Sequence, residues 1–410
     1  MADYPADQIF LPAALAESIA ETDGTPFFLY DKQGIERSIQ ALHSAFSWAS
    51  AFQNYFPLRE QVNPRILRLL QSGSSGVNVC SKTELSFALS CGFSGSQILY
   101  EPTRKDEEAE HLALQTNAVW MCNSAELIPA QFPERILLRC NPIDYTFTPS
   151  QKQSIARSKN GMNKVQLTET VCRIMDQGIT SVGLAIHVAS YSIKPGFWLK
   201  KVEFLVELAQ ELQEKTGIRI SAFYIGEGPG LPYKPRMPAP DIAEEAQKIE
   251  ALYHSLPKEM GKPILYTGVT ARLMEPHGIL VTKVLEERPI YRTFLTVDAG
   301  MCQYIRPVLR SAYRHVSVLG KSRIENRKLY SIVGDLPDSV DRLVHKGRML
   351  PKVIPGDYLV IHDVGCRARS LPLLYGFRPV AAEYLYDGEA CCKIAKGYKE
   401  EEVMEFLTAL

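Results

Sequence analysis

The apolar positions of this chain fall into short runs joined by stretches with helical spacing. Phe27-Phe28-Leu29-Tyr30 is a compact apolar run after the turn signal Asp23-Gly24-Thr25-Pro26. Ile35, Ile39, Leu42 and Phe46 then follow at three-and-four spacing, the mark of one helix face. The unit recurs: Val77-Asn78-Val79-Cys80 reads as a strand, and Ser81 with Glu84 has the spacing of a capping box that opens a helix. Gln97–Tyr100, Ala118–Met121, Ile136–Arg139, Val182–Ile186 and Ala222–Ile225 are further strands of the same kind. Between the last two, Phe197 to Leu212 reads as a helix with Trp198, Val202, Leu205, Leu208 and Leu212 inward and Lys200, Lys201 and Glu211 toward solvent. Six or seven such units predict an α/β architecture, and periodicity alone leaves a (β/α)₈ barrel and a doubly wound sheet both open.

Beyond residue 278 the pattern changes. Ile279–Val284, Thr293–Val297, Lys328–Val333 and Asp357–Ile361 are β-type runs without long helices between them, which predicts a largely antiparallel β domain. The expected division is residues 27–277 for the α/β part, and 1–26 with 278–410 for the β part.

Composition narrows the function. Basic and acidic residues balance at 46 each, so nothing electrostatic points to nucleic acid or an anionic membrane. No apolar stretch reaches the length of about 18 residues that spans a bilayer, and no early run has signal-peptide form, so a cytoplasmic protein is expected. The nine cysteines are scattered, with only Cys391-Cys392 adjacent, which predicts reduced thiols. Glu227, His187 and Asp298 lack metal-ligand spacing, and no metal is expected.

One stretch ties the pattern to a known family. Phe56-Pro57-Leu58-Arg59-Glu60-Gln61-Val62-Asn63-Pro64 resembles the segment of the diaminopimelate/ornithine decarboxylases in which a strand ends in Ala-Val-Lys-Ala-Asn and runs into Asn-Pro. Those enzymes are pyridoxal-phosphate proteins with an alanine-racemase-like barrel. Ser81-Lys82-Thr83-Glu84-Leu85, His187-Val188-Ala189-Ser190 and Asp298-Ala299-Gly300-Met301 with Ile305-Arg306-Pro307 extend the resemblance from about Thr25 to about Glu383. It favours the (β/α)₈ barrel followed by a C-terminal antiparallel β domain.

The resemblance also locates departures. The family's Schiff-base lysine falls on Arg59, whose guanidinium stays protonated and cannot act as an amine nucleophile. Its glycine-rich phosphate loop is Gly226-Glu227-Gly228, a vestigial form with a carboxylate at its centre, and the preceding aspartate is Tyr224. Its Glu-Pro-Gly-Arg segment falls on Gly268-Val269-Thr270-Ala271, its second-subunit cysteine on Pro337 and its cofactor-contacting tyrosine on Arg367. These changes lead to the expectation of no bound cofactor, with pyridoxal phosphate on a relocated lysine, Lys82, Lys159 or Lys194, as the alternative. His187, Glu227 and Arg59 are the candidate catalytic groups. Arg139, Ser190, Arg367 and Asp338 are the candidate substrate contacts, with Arg59 and Arg367 as anion clamps. The expected function is a divergent decarboxylase-like enzyme of amino-acid metabolism, independent of pyridoxal phosphate, taking a small anionic, amino-acid-derived or polycarboxylate substrate. A catalytically silent partner subunit is the competing reading. The resemblance implies a homodimer, or a heterodimer with an active paralogue.

Overall fold

The computed structural model describes residues 12–409, except 144, 146–148, 189–191, 235–236, 239, 322–326, 345 and 374 and the side chains at 149–151 and 154. Strand β1, Phe27–Asp31, is followed by eight strands that close on one another. These are β2 Phe52–Pro57, β3 Gly76–Val79, β4 Ile98–Tyr100, β5 Val119–Cys122, β6 Ile136–Cys140, β7 Ser181–Ile186, β8 Arg219–Tyr224 and β9 Ile264–Thr267. Each pairs in parallel with the next, and β9 returns to β2 through Phe52 opposite Leu265, so the barrel is complete. Strands β3 to β6 are buried along their whole length, because helices cover their outer faces and the barrel core their inner ones.

The barrel is packed, not hollow. Tyr55, Leu99, Val119, Met121, Leu137, Ala185, Ala222, Tyr224 and Tyr266 fill it as one inner cluster. The helices between strands start where the sequence supplies caps: the Asn63 side chain accepts from Arg65 N with Pro64 in the first turn, Ser81 accepts from Glu84 N, and Asp106 from Ala109 N.

Eight further strands form a second sheet together with β1. They are β10 Gly278–Pro289, β11 Thr293–Val297, β12 Val316–Val318, β13 Lys328–Val333, β14 Arg348–Leu350, β15 Tyr358–Ile361, β16 Ala382–Tyr386 and β17 Cys391–Ala395. The path runs β14-β13-β11-β10-β1-β16-β17, with β12 and β15 attached beside β10. Its pairs are antiparallel except β1 with β16 and β11 with β13. The architecture is therefore a (β/α)₈ barrel followed by a mostly antiparallel β domain, as the pattern and resemblance predict.

Three local expectations are corrected. The run Phe27–Tyr30 does not open the barrel: β1 lies between β10 and β16, and Phe27, Leu29, Ile279, Val281 and Val360 share a core of their own. The barrel has eight strands, and the one that reading the chain missed is β9, a four-residue run whose only outward sign is its burial. Lys201 does not face solvent. It is 1% exposed, the only lysine so deeply buried among the described residues.

Candidate functional site

The C-terminal ends of the barrel strands meet in a mouth that the β domain partly roofs. β2 delivers Arg59 and Glu60 on a single turn of 3₁₀ helix, Leu58–Glu60, before Asn63 caps the next helix. β3 carries Asn78, Glu101 follows β4, Asn123 follows β5, β6 contributes Arg139, and His187 stands just past β7. The loop after β8 is Gly226-Glu227-Gly228, and β9 leads into Thr270 and Ala271.

Polar groups cross this mouth in a chain. Arg139 Nη1 donates to Glu101 Oε1 at 2.6 Å and to Asn123 Oδ1 at 3.0 Å, while its Nη2 donates to the His187 carbonyl at 3.2 Å. Asn78 Nδ2 donates to the other Glu101 oxygen at 2.9 Å, and Arg59 Nη1 donates to Asn78 Oδ1 at 3.1 Å. Arg139 is thus a buried structural cation matched to Glu101, which corrects its assignment as a substrate contact. Arg59 keeps an exposed side chain at the rim and donates to neutral Asn78, with the charges of Glu101, Glu84 and Glu60 near enough to support its own.

Arg367 is not a free clamp. It pairs with Glu60 at 2.6 Å and lies 3.5 Å from Glu275. Glu275, 1% exposed, also accepts from Tyr233 Oη at 2.5 Å and Arg314 Nη2 at 3.3 Å, and Arg314 in turn donates to Tyr304 Oη. This cluster joins barrel to β domain, and the role of Arg367 as half of an anion clamp with Arg59 is corrected accordingly. Burial pushes the Glu60 carboxyl up from its ordinary value, with Arg367, Arg59 and Arg306 pulling it back.

Above the cluster lies a cavity of about 680 Å³ lined by His187, Tyr233, Lys234, Arg306, Arg310, Arg314 and Arg367 among others. Burial, then the charges of Arg139, Lys201 and Arg59, hold the His187 imidazole well below its usual range. It is neutral at physiological pH and suited to accept a proton or hydrogen bond, not to deliver a proton as an imidazolium. Its ring lies nearly parallel to that of Tyr224, with centroids 6.4 Å apart.

Glu227 is buried, and its Oε1 accepts from Ala271 N at 3.4 Å. Burial first, then the nearby Glu60 and Glu275 charges, raise its carboxyl to about 7, with the Ala271 N–H and Lys201 opposing. Lys201 Nζ donates to the Glu227 carbonyl at 2.5 Å, and burial lowers this amine to about 8. The three relocated-lysine candidates are elsewhere: Lys82 is exposed and ion-paired with Glu108, and Lys159 and Lys194 are exposed. Ser190 lies outside the described residues. Asp338 accepts from Tyr375 Oη at 2.8 Å and borders a separate groove with Glu286, Asp335 and Asp341, so a single chain does not bring it to the mouth.

Glu101 and Lys201 are the functional neighbours that reading the chain missed, and both had a signal. Glu101 directly follows the run Gln97–Tyr100, the same strand-end position that singled out Arg139. Lys201 lies four residues from both Phe197 and Leu205, on the apolar stripe itself.

The chain matches the family model for pyridoxal-dependent decarboxylases, in their C-terminal sheet domain description, over residues 27–365. It is 28% identical over 393 residues to the diaminopimelate decarboxylase of Methanothermobacter thermautotrophicus, covering 92% of this chain and 90% of that one. It is 26% identical over 375 residues to Protein TabA of Pseudomonas amygdali pv. tabaci, covering 90% of this chain and 88% of that protein. Among solved structures, diaminopimelate decarboxylase from M. jannaschi superimposes with a TM-score of 0.88 at 22% identity, over 96% of this chain and 94% of the other. A lysine/ornithine decarboxylase from Vibrio vulnificus, complexed with putrescine, does so at 0.77 and 17% identity, over 92% and 98%. At these identities the structural likeness speaks for the fold.

The matched family is pyridoxal-dependent, which overturns the expectation of no cofactor: pyridoxal phosphate is the cofactor indicated. The residues present fit it in part. The loop after β8 is shaped for close backbone approach, since Gly226 has φ +68° and a Cβ there would stand 2.6 Å from the Ile186 carbonyl. The attachment point does not fit, because position 59 offers a guanidinium hydrogen-bonded to Asn78 in place of an amine.

Proposed function

Because the chain belongs to the pyridoxal-dependent ornithine/diaminopimelate/arginine decarboxylase family, matched from residue 27 to 365, we propose that it is a divergent lyase of amino-acid metabolism that takes a small anionic, amino-acid-derived or polycarboxylate substrate. The observation that carries this reading is the charge of the mouth cavity. Lys234, Arg306, Arg310, Arg314 and Arg367 line it, and the carboxylates paired with that set are Glu60 and Glu275 behind its floor. Arg314 and Arg367 are thereby paired, and among the described residues that line the cavity none is a carboxylate. A cavity of this kind attracts carboxylates and lowers the affinity of cationic amines.

Around such a ligand the chain's own groups divide the work. Arg306 and Arg310 supply positive charge from the cavity lining, with Arg59 at the rim of the mouth. Neutral His187 accepts a proton or hydrogen bond, and Glu227 can hold or release a proton near neutrality. The family's lysine chemistry cannot take place at position 59, which is the sense in which the protein is divergent.

Thermal-shift titration tests the substrate class. Glutamate, 2-aminoadipate and succinate should each raise the melting temperature, and ornithine and cadaverine should not. Stabilisation by the cationic compounds alone would remove the anionic reading. Arg59→Ala and Arg310→Ala should each weaken anion binding about tenfold, a loss of about 1.4 kcal/mol.

The competing reading, a silent partner subunit, drew on the family-like Asp298–Met301 segment. That segment is held within its own chain: Asp298 Oδ1 accepts from Thr282 Oγ1 at 2.6 Å and Lys283 N at 2.9 Å, and Met301 N donates to Asp341 at 2.7 Å. We retain the homodimer as part of the proposal, and light scattering of the purified protein checks it.

A further inference from the structure

Between β8 and the helix Ile242–His254, residues 229–240 read Pro-Gly-Leu-Pro-Tyr-Lys-Pro-Arg-Met-Pro-Ala-Pro, with five prolines in twelve positions. Proline has no N–H, so such a segment is short of donors for its own carbonyls, and the buried ones need donors from elsewhere. Arg272, in the short helix Ala271–Met274 after β9, supplies them. Its Nε donates to the carbonyls of Pro229 at 3.3 Å and Gly230 at 3.2 Å, and its Nη2 donates to the carbonyl of Pro240 at 2.6 Å. One guanidinium thus ties together the two ends of the segment, both of them buried. The middle is fastened separately. Tyr233 Oη donates to Glu275 at 2.5 Å, and the Arg314 guanidinium lies over the Tyr233 ring, 4.7 Å from its centroid.

The segment is therefore a strap, pinned at both ends and at one point between. It carries Tyr233, Lys234 and Met237 to the mouth cavity, and the Met237 N–H donates to the Lys234 carbonyl at 3.2 Å, which holds those two residues in one turn. Lys234 is exposed and is the only lysine among the described residues that line the cavity. Among the described residues its ammonium has no hydrogen bond or ion pair. Arg272 itself does not line the cavity. We propose that Lys234 is a specificity-determining contact for the anionic substrate, and that Arg272 is the positioning residue that presents it, acting through the strap. The proposal rests on the anionic reading of the mouth cavity and adds a second source of charge to it. Arg306 and Arg310 come from one short helix of the β domain, whereas Lys234 comes from the barrel. A lysine is a point charge on a flexible stem, and a loose backbone beneath it would lose further entropy on binding. With the strap pinned, that ordering is in place before the ligand arrives.

Calorimetric titration with succinate reads both parts. Lys234→Met should weaken binding about tenfold, and Lys234→Arg, which keeps the charge, by roughly threefold at most. Arg272→Met should weaken it by about five- to tenfold, and Arg272→Met with Lys234→Met by little more than either change alone, because both remove the same contact. Combined with Arg310→Ala, each loss should multiply instead. Undiminished binding in Lys234→Met, with Arg310→Ala still weakening it, would overturn the Lys234 contact and leave the anionic reading standing. A silent Arg272→Met, or losses at Arg272 and Lys234 that multiply, would overturn the positioning role. Failure of the wild type to bind succinate would remove the anionic reading and this inference with it. Should Arg272→Met fail to fold, Arg272→Lys, which keeps the charge but cannot bridge both ends of the strap, takes its place in the same cycle with the same expected non-additivity.

Discussion

The residues that matter most here are charged groups without access to bulk water. Arg139 and Glu101 bury a 2.6 Å pair under the mouth, with Asn123 and Asn78 completing their hydrogen bonds. Replacing one partner strands the other, so Arg139→Met should cost roughly 3–5 kcal/mol in urea unfolding, and Arg139→Met with Glu101→Met less than the sum of the two. Lys201 and Glu227 make the stability pH-dependent at both ends. The unfolded chain holds the Lys201 proton up to its ordinary value of 10.5 and the folded chain only to about 8. Stability therefore climbs with pH across that window, by up to about 1.4 kcal/mol per unit, and this contribution is lost as pH falls through 8. Glu227 has the opposite sign of slope: its folded value of about 7 lies above the ordinary 4.5, so its contribution is present at low pH and is lost as pH rises to 7. Urea midpoints from pH 5 to 10 should show both slopes, with Lys201→Met flattening the upper one and Glu227→Gln the lower. Which lysine was buried was legible in principle from the four-residue spacing to Phe197 and Leu205. Its consequence was not, because the value near 8 comes from the loop it packs beneath.

At the level of elements, the strands were readable wherever an apolar run ended in a helix signal. β3 with Ser81 and β4 with Asp106 show this, since the cap residues fix both where the strand stops and where the helix begins. β9 escaped because Ile264–Thr267 is short and is followed by a helix of only four residues, leaving no periodic partner to mark it. β1 was seen as a strand but placed in the wrong layer. Its sheet depends on pairing with β10 and β16, about 250 and 355 residues downstream, and no local pattern encodes such partners. The loop after β8 carries its own prediction. Gly226→Ala would need a side chain at φ +68° with its Cβ against the Ile186 carbonyl, so it should lower stability by roughly 2 kcal/mol, read as a lower urea midpoint.

Over the whole molecule, the barrel and the β domain are joined at the site itself. Glu275 takes Tyr233 from the barrel side and Arg314 and Arg367 from the β domain, all in a nearly dry environment. Glu275→Gln should leave two guanidinium groups under-compensated, cost roughly 3 kcal/mol and raise the anion affinity of the mouth cavity, as measured by unfolding and by succinate titration. The sequence by itself determined the class of fold, most of the strands, the absence of a bias toward nucleic acid and the replacement of the family lysine by Arg59, because period, capping and residue identity are local properties. It led to the wrong conclusion about the cofactor, since departures at individual positions do not outweigh family membership over most of the chain. Only the tertiary structure decided which charges remain available. Arg139 and Arg367 proved to be neutralised by Glu101, Glu60 and Glu275, Arg59 remained at the rim, and Lys201 came to lie behind Glu227. Whether a charge acts on a ligand or on a neighbour depends on distance and burial, and both arise only when segments far apart in sequence are packed together.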